Sequence, residues 1–134
     1  MSIADAVLAL RAHLESGWTA TPVVQESRAY APAADQAFLL CEIRPAVAVF
    51  VSIGAPGERL ARRSGSILLH LNVPMAEADP DASARASAAA AATLFEGASF
   101  AGLVCGAATI GAGADAAAYW RVTATIPFVF DEIV

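Results

Sequence analysis

The sequence predicts an α+β fold in which two helices pack on one face of a largely antiparallel or mixed sheet of about four to five strands. Three observations predict it. Helical and strand periodicities follow one another without the regular βαβ alternation of a parallel sheet. From Tyr119 to Asp131, every even position from Trp120 to Phe130 except Ala124 carries a large apolar residue, while Tyr119, Arg121, Thr123 and Thr125 fall between them. Asp79, Pro80 and Asp81 form a helix start, with a cap, a first-turn proline and an acid favoured by the dipole.

Taken in order, Ile3, Val7, Leu10 and Leu14 recur at helical spacing, so Ser2 to Ser16 reads as a helix capped by Ser2 and ended by Gly17. Thr19 to Gln36 reads as loop, with one short strand around Val23 to Glu26. Ala37 to Ile43 and Ala46 to Ile53, dense in Val, Ile and Phe, read as two strands separated by Pro45. Gly54, Pro56 and Gly57 then signal a turn. Ser64 to Val73 alternates, with Ile67, Leu69, Leu71 and Val73 on one side and Ser66, His70 and Asn72 on the other. An Ala-rich helix follows from Asp79 through Phe95 to a stop at Gly97. Leu103 to Ile110 is the next strand, Gly111 and Gly113 open a loop, and Tyr119 to Asp131 closes the sheet. Pro127 marks an edge or a bulge in that last strand.

The 134 residues form one domain, 1–134, long enough to bury roughly 68% of the surface its unfolded chain exposes. Its 57% hydrophobic content includes 34 alanines, so the rest is ordinary for a folded globular domain. All eight positive side chains are arginines, against 13 carboxylates, for a net charge of −5. That balance argues against a nucleic-acid binder, which must neutralise phosphates. Ala46 to Val51, the longest apolar run outside polyalanine, is far short of the roughly 18 residues of a membrane span. The first residues lack the basic region of a signal peptide. Cys41 and Cys105 sit in separate apolar runs without ligand spacing and read as reduced core residues of a cytoplasmic protein.

Catalytic patterns are missing. There is no GxSxG, P-loop or strand-preceded GxGxxG, and Gly111 to Gly113 reads as a hinge. His13 and His70 are the two histidines, and neither comes with a paired nucleophile in view. The sequence implies no catalytic residue, no metal and no cofactor. A small enzyme or ligand-binding domain with His70 and Glu42 in a pocket is the rival reading. Association is better supported: Ala37 to Ile43 and Ala46 to Ile53 read as apolar on both faces, through Phe38, Leu40 and Phe50 on the second one, and such patches are not left exposed. Arg59, Arg62 and Arg63 concentrate positive charge in the loop that follows. Together with Asp115, beyond the glycine hinge, these six residues are the candidate interface.

The pattern resembles the tail terminator proteins of long-tailed bacteriophages and of phage-derived gene transfer agents. The resemblance spans nearly the whole chain: the N-terminal helix, the strand pair, Arg63-Ser-Gly-Ser-Ile-Leu-Leu-His-Leu-Asn-Val-Pro74, the Ala-rich helix, Phe100-Ala-Gly-Leu-Val104, and Tyr119-Trp-Arg-Val-Thr-Ala-Thr-Ile-Pro-Phe-Val-Phe-Asp131. It implies a structural, non-enzymatic virion protein assembled in the bacterial cytoplasm and placed at the tail-neck junction. Its expected partners are copies of itself in a hexameric ring, the tail tube protein and a head-completion or stopper protein, with DNA passing through the lumen without specific binding. Another neck component, a stopper or adaptor, is the alternative. No membrane is implied.

Overall fold

The computed structural model describes residues 1–28 and 35–134, so the middle of the expected Thr19 to Gln36 loop lies outside the described residues. Along the chain run α1 (Ile3–Gly17), β1 (Val23–Gln25), β2 (Phe38–Phe50), β3 (Leu60–Pro74), α2 (Pro80–Ala92), β4 (Ser99–Phe100), β5 (Leu103–Cys105), β6 (Thr109–Ile110), β7 (Ala114–Ala116) and β8 (Tyr119–Ile133). Of the described residues 44% are in strands and 22% in helices, a β-rich fold with one eight-stranded half-barrel sheet, which corrects the expected α+β fold of four to five strands. The difference arises mainly between residues 99 and 116. Glycines at 102, 106, 111 and 113 divide that stretch into four short strands, where hydropathy suggests a single run from Leu103 to Ile110.

The sheet order is β1-β2-β3-β8-β5-β4, with β6 and β7 also paired to β8. Among the described strands only β1 runs parallel to its neighbour, so the sheet is mixed. Strands β2, β3 and β8 form its long middle. On one face Leu39, Leu71 and Val122 pair in a row, followed by Cys41, Leu69 and Ala124, then Ile43, Ile67 and Ile126. Each row places three buried side chains side by side, and both helices cover them within a single core.

Helix α1 starts with a capping box: Ser2 Oγ accepts from the Asp5 backbone N–H at 3.1 Å, and the Ser2 N–H donates to the Asp5 carboxylate at 3.2 Å. It buries Ala6, Leu10 and Leu14, while Ile3 from the expected stripe stays exposed. Helix α2 is capped by Asp79, which accepts from Ala82 N–H at 3.1 Å, and buries only alanines, Ala84, Ala88, Ala91 and Ala92. Small side chains bring its backbone close to the sheet. The helix ends three residues before the expected Phe95, in tighter turns in which Leu94 and Phe95 donate to Ala91 and Ala92.

Three further expectations change. Pro45 does not separate two strands; β2 runs through it, and the register against β3 shifts between Pro45 and Ala48. The sheet tolerates the missing N–H because β1 pairs with β2 only as far as Cys41, which leaves the far side of Pro45 without a strand. Pro127 is not at a sheet edge, since β8 has neighbours on both sides. Instead the neighbouring chain breaks there, between β5 and β6, and Gly106 N–H reaches the Pro127 carbonyl at 2.9 Å. Finally, β3 begins at Leu60, so Arg62 and Arg63 are strand residues and not part of a loop.

Candidate assembly interface

Beyond Ile43 the three long strands continue as an arm, which meets α1 at the helix's first residue, Ile3, beside Pro45 to Ala48. Ala48 faces Arg63, Val49 faces Arg62 and Phe50 faces Ala61, while Leu60 to Arg63 pair in turn with Ile133 to Phe130. Every β2 residue from Arg44 to Phe50 is exposed. Val47 and Phe50 are each 62% exposed and Val49 51%, and Ile53 in the following turn is fully open. Both borders of the arm are also bare among the described residues. β1 pairs with β2 only as far as Cys41 on one side and β5 reaches only Val129 on the other, so the backbone of residues 44–50 and 130–133, paired with β3 inwardly, has no described strand on its outer side. Such edges are templates for pairing unless charge or proline blunts them, and residues 46–51 carry neither.

On the helix side of the arm lies a groove of about 250 Å³ lined by Ala48, Val49, Phe50, Arg59, Ala61, Arg63 and Val134. Arg59 lies over the Phe50 ring, its guanidinium carbon 4.7 Å from the centroid, a cation–π contact that holds the ring in place. Arg63 pairs with Glu132. On the other side, Arg62 Nε and Nη2 grip the Asp131 carboxylate at 2.8 and 3.0 Å, which raises the guanidinium pKa and holds the carboxyl below its usual range. Two of the three clustered arginines are thus spent on fastening β3 to the end of β8.

The remaining candidates lie elsewhere. Phe38 and Leu40 are half-buried on the core half of the sheet, on the face opposite the helices. Phe38 meets Tyr119 edge-on at 5.1 Å. Around them this face is polar, not apolar as expected: Arg121 Nε donates to Asn72 Oδ1 at 2.8 Å, Asn72 Nδ2 to the His70 carbonyl at 3.1 Å, and Glu42 pairs with Arg44. Asp115 is exposed on β7, opposite Trp120 at the far end of the sheet from the arm. The structure therefore brings Phe50, Arg59 and Arg63 into one groove, puts Arg62 on its reverse, and leaves Phe38, Leu40 and Asp115 apart.

His70 and Glu42 do meet, as the rival reading expects. His70 Nε2 lies 3.4 Å from Glu42 Oε1 without hydrogen-bond geometry, and Nδ1 is 2.7 Å from Thr123 Oγ1. Burial, and then the nearby Arg121, lower the imidazole pKa below its ordinary 6.5. Burial pushes the Cys41 thiol up to about 12 and raises that of Cys105, so both thiols stay protonated. His13 is stacked on Phe100 at 3.9 Å, and its Nε2 is 2.7 Å from the Leu94 carbonyl oxygen, a packing role. Among the described residues, no group of three or more His, Cys, Asp or Glu side chains is arranged to hold a metal.

Sequence reasoning missed the exposed valines, Val47, Val49 and Val51, because a fully exposed apolar strand looks like a buried one. It also missed a second patch on α1, where Leu8 is 63% exposed beside Ile3, Ala4, Val7 and Arg11. The signal there was Leu8 standing off the helical stripe.

No family model and no curated protein matches the sequence. Solved structures do match: one superposes with a TM-score of 0.64 over 90% of this chain and 92% of its own, at 19% sequence identity. At that identity the likeness concerns the fold, and the β-rich architecture is one that a solved protein shares. Among the described residues, no helix is long and apolar enough to cross a membrane.

Proposed function

We propose that this chain is a structural subunit that associates with copies of itself into a ring, in the manner of the tail terminators its sequence resembles. In that role the ring caps the tube of a phage or phage-like particle, ends tube growth and meets a head-completion or stopper protein. The observation that carries the reading is the arm, whose exposed apolar strand and bare borders suit burial against protein. Apolar surface of this kind on a chain of net charge −5 marks an interaction site more often than an idle surface. The same acidity suits a lumen through which DNA slides, because it repels phosphates instead of binding them. The face bearing His70 supports the enzymatic rival only by proximity.

Mass measurement in solution and negative-stain microscopy, with the protein alone and with tube protein added, test the proposal. Annular particles of hexamer mass are expected in at least one setting, and a strict monomer in both overturns it. Loss of the gene is expected to give overlong tubes or tails unable to join heads; normal tails without it would place the protein elsewhere.

A further inference from the structure

The groove of the arm holds a cation that the chain itself leaves unanswered. Arg59 Nε is buried without a hydrogen-bond partner, and its guanidinium has only the Phe50 ring beneath it. Arg62 and Arg63, two and three residues beyond the start of β3, are each matched to a carboxylate. Among the described residues Arg59 makes no ion pair. A buried N–H without an acceptor costs free energy in the isolated chain, and the terminal nitrogens of the same guanidinium, which are not in that buried group, are what a carboxylate from outside can reach.

The opposite end of the same strands carries the reverse. Where β3 ends at Pro74 and β8 begins at Tyr119, the chain gathers Glu77, Asp79, Asp81 and Asp115. Asp81 is engaged by Arg85 and by the Trp120 indole N–H, and Asp79 caps α2. Glu77 and Asp115 are exposed and, among the described residues, form no side-chain hydrogen bond or ion pair. Met75, 46% exposed, stands next to Glu77 in the same turn and adds apolar surface. One end of the sheet is thus apolar, with Arg59 against Phe50 and an exposed carboxylate, Glu58, beside it, and the other carries the exposed carboxylates of Glu77 and Asp115 and an exposed methionine.

We infer that the arm of one copy docks on the acidic end of a second copy, with Arg59 meeting Glu77 or Asp115 and the valines of the arm covering Met75. The inference rests on the ring reading and names the two surfaces that would meet in it. Because they differ and lie at opposite ends, repeating the contact leads from one copy to the next, and it closes as a ring when the rotation per copy allows. Arg62 and Arg63 take no part, since their charges are already used within the chain.

Charge exchange tests this. Arg59→Glu is one variant, and Glu77→Arg with Asp115→Arg is the other. Each alone is expected to lose self-association by roughly tenfold or more, as like charges then face one another across the contact. An equimolar mixture is expected to regain the wild-type mass, because every arm again meets an end of opposite charge. Circular dichroism checks folding, and Arg59→Gln, which loses the charge without reversing it, stands in if Arg59→Glu fails to fold. Variants that assemble as the wild type does, with the ring intact, overturn this docking and leave the ring reading standing. A wild-type dimer that the exchanges abolish and the mixture restores supports the docking and overturns the ring. A wild type that is monomeric, alone and with tube protein, overturns both.

Discussion

Strands β2, β3 and β8 are each thirteen to fifteen residues long, yet their two halves live in different surroundings. In the core half, Leu39, Cys41 and Ile43 alternate with half-buried neighbours and are sealed by the helices. In the arm half, the same β2 strand runs on through seven exposed residues. Strand pairing runs through both, with a register shift in β2 between Pro45 and Ala48, and in the arm it is joined by the Arg62–Asp131 and Arg63–Glu132 pairs and the Arg59–Phe50 contact, while side-chain burial stabilises the core. What differs is the cover on β2: Val47, Val49 and Phe50 gain little from folding of the single chain, whereas Ala61 and Phe130 on the neighbouring strands are buried.

That contrast predicts very different costs for similar substitutions. The largest belongs to the core half, where Leu69→Ala should destabilise the fold by about 2–5 kcal/mol in denaturant titration, through lost burial and the cavity left behind. A cost close to zero would mean that the helices do not seal this face. At the junction of the halves, a Cβ on Gly65 would lie 2.7 Å from Phe128 Cζ and 2.6 Å from the Arg44 carbonyl oxygen. Gly65→Ala should therefore cost about 1–3 kcal/mol by overpacking. A neutral result would mean that both the Phe128 ring and the β2 backbone at Arg44 move aside freely.

A smaller effect is set by pH on the face opposite the helices. Because the His70 pKa is lower in the folded chain than its ordinary 6.5, the unfolded chain binds the proton more readily. Stability should thus be full above that value and decline as pH falls below 6.5, down to the lowered pKa. His70→Asn should flatten this part of the pH profile, and an unchanged slope would assign it to another group. Smallest of all, Val47→Thr and Val49→Thr together should change single-chain stability by less than about 0.5 kcal/mol, as surface substitutions do. A larger loss would show that the arm is packed within its own chain.

Sequence legibility followed the same division. β8 and α1 were plain, because strict alternation and a Ser-x-x-Asp cap leave one reasonable geometry each. The arm was half-legible. Its apolar density was visible in Ala46 to Ile53, but composition does not distinguish a strand buried by its own chain from one bare at the edge, and Phe38 and Leu40 were grouped with it though they border a polar network. Arg62 and Arg63 looked like loop charges, since their partners Asp131 and Glu132 are 69 residues away in sequence. The short strands from Ser99 to Ala116 were merged because their division depends on what they lie against. Gly113, for example, leaves room for the Trp120 indole, which a Cβ would approach to 2.3 Å.

The central claim is that the exposed β2 strand of the arm is an assembly surface and not a part of the core. Sedimentation of the Val49→Ser, Phe50→Ser double variant beside the wild type, with thermal unfolding of each measured below the association range, tests it most directly. The account predicts an oligomeric wild type and a monomeric variant whose single-chain unfolding temperature is nearly unchanged. An equally oligomeric variant, or one that loses its fold along with its association, would contradict it.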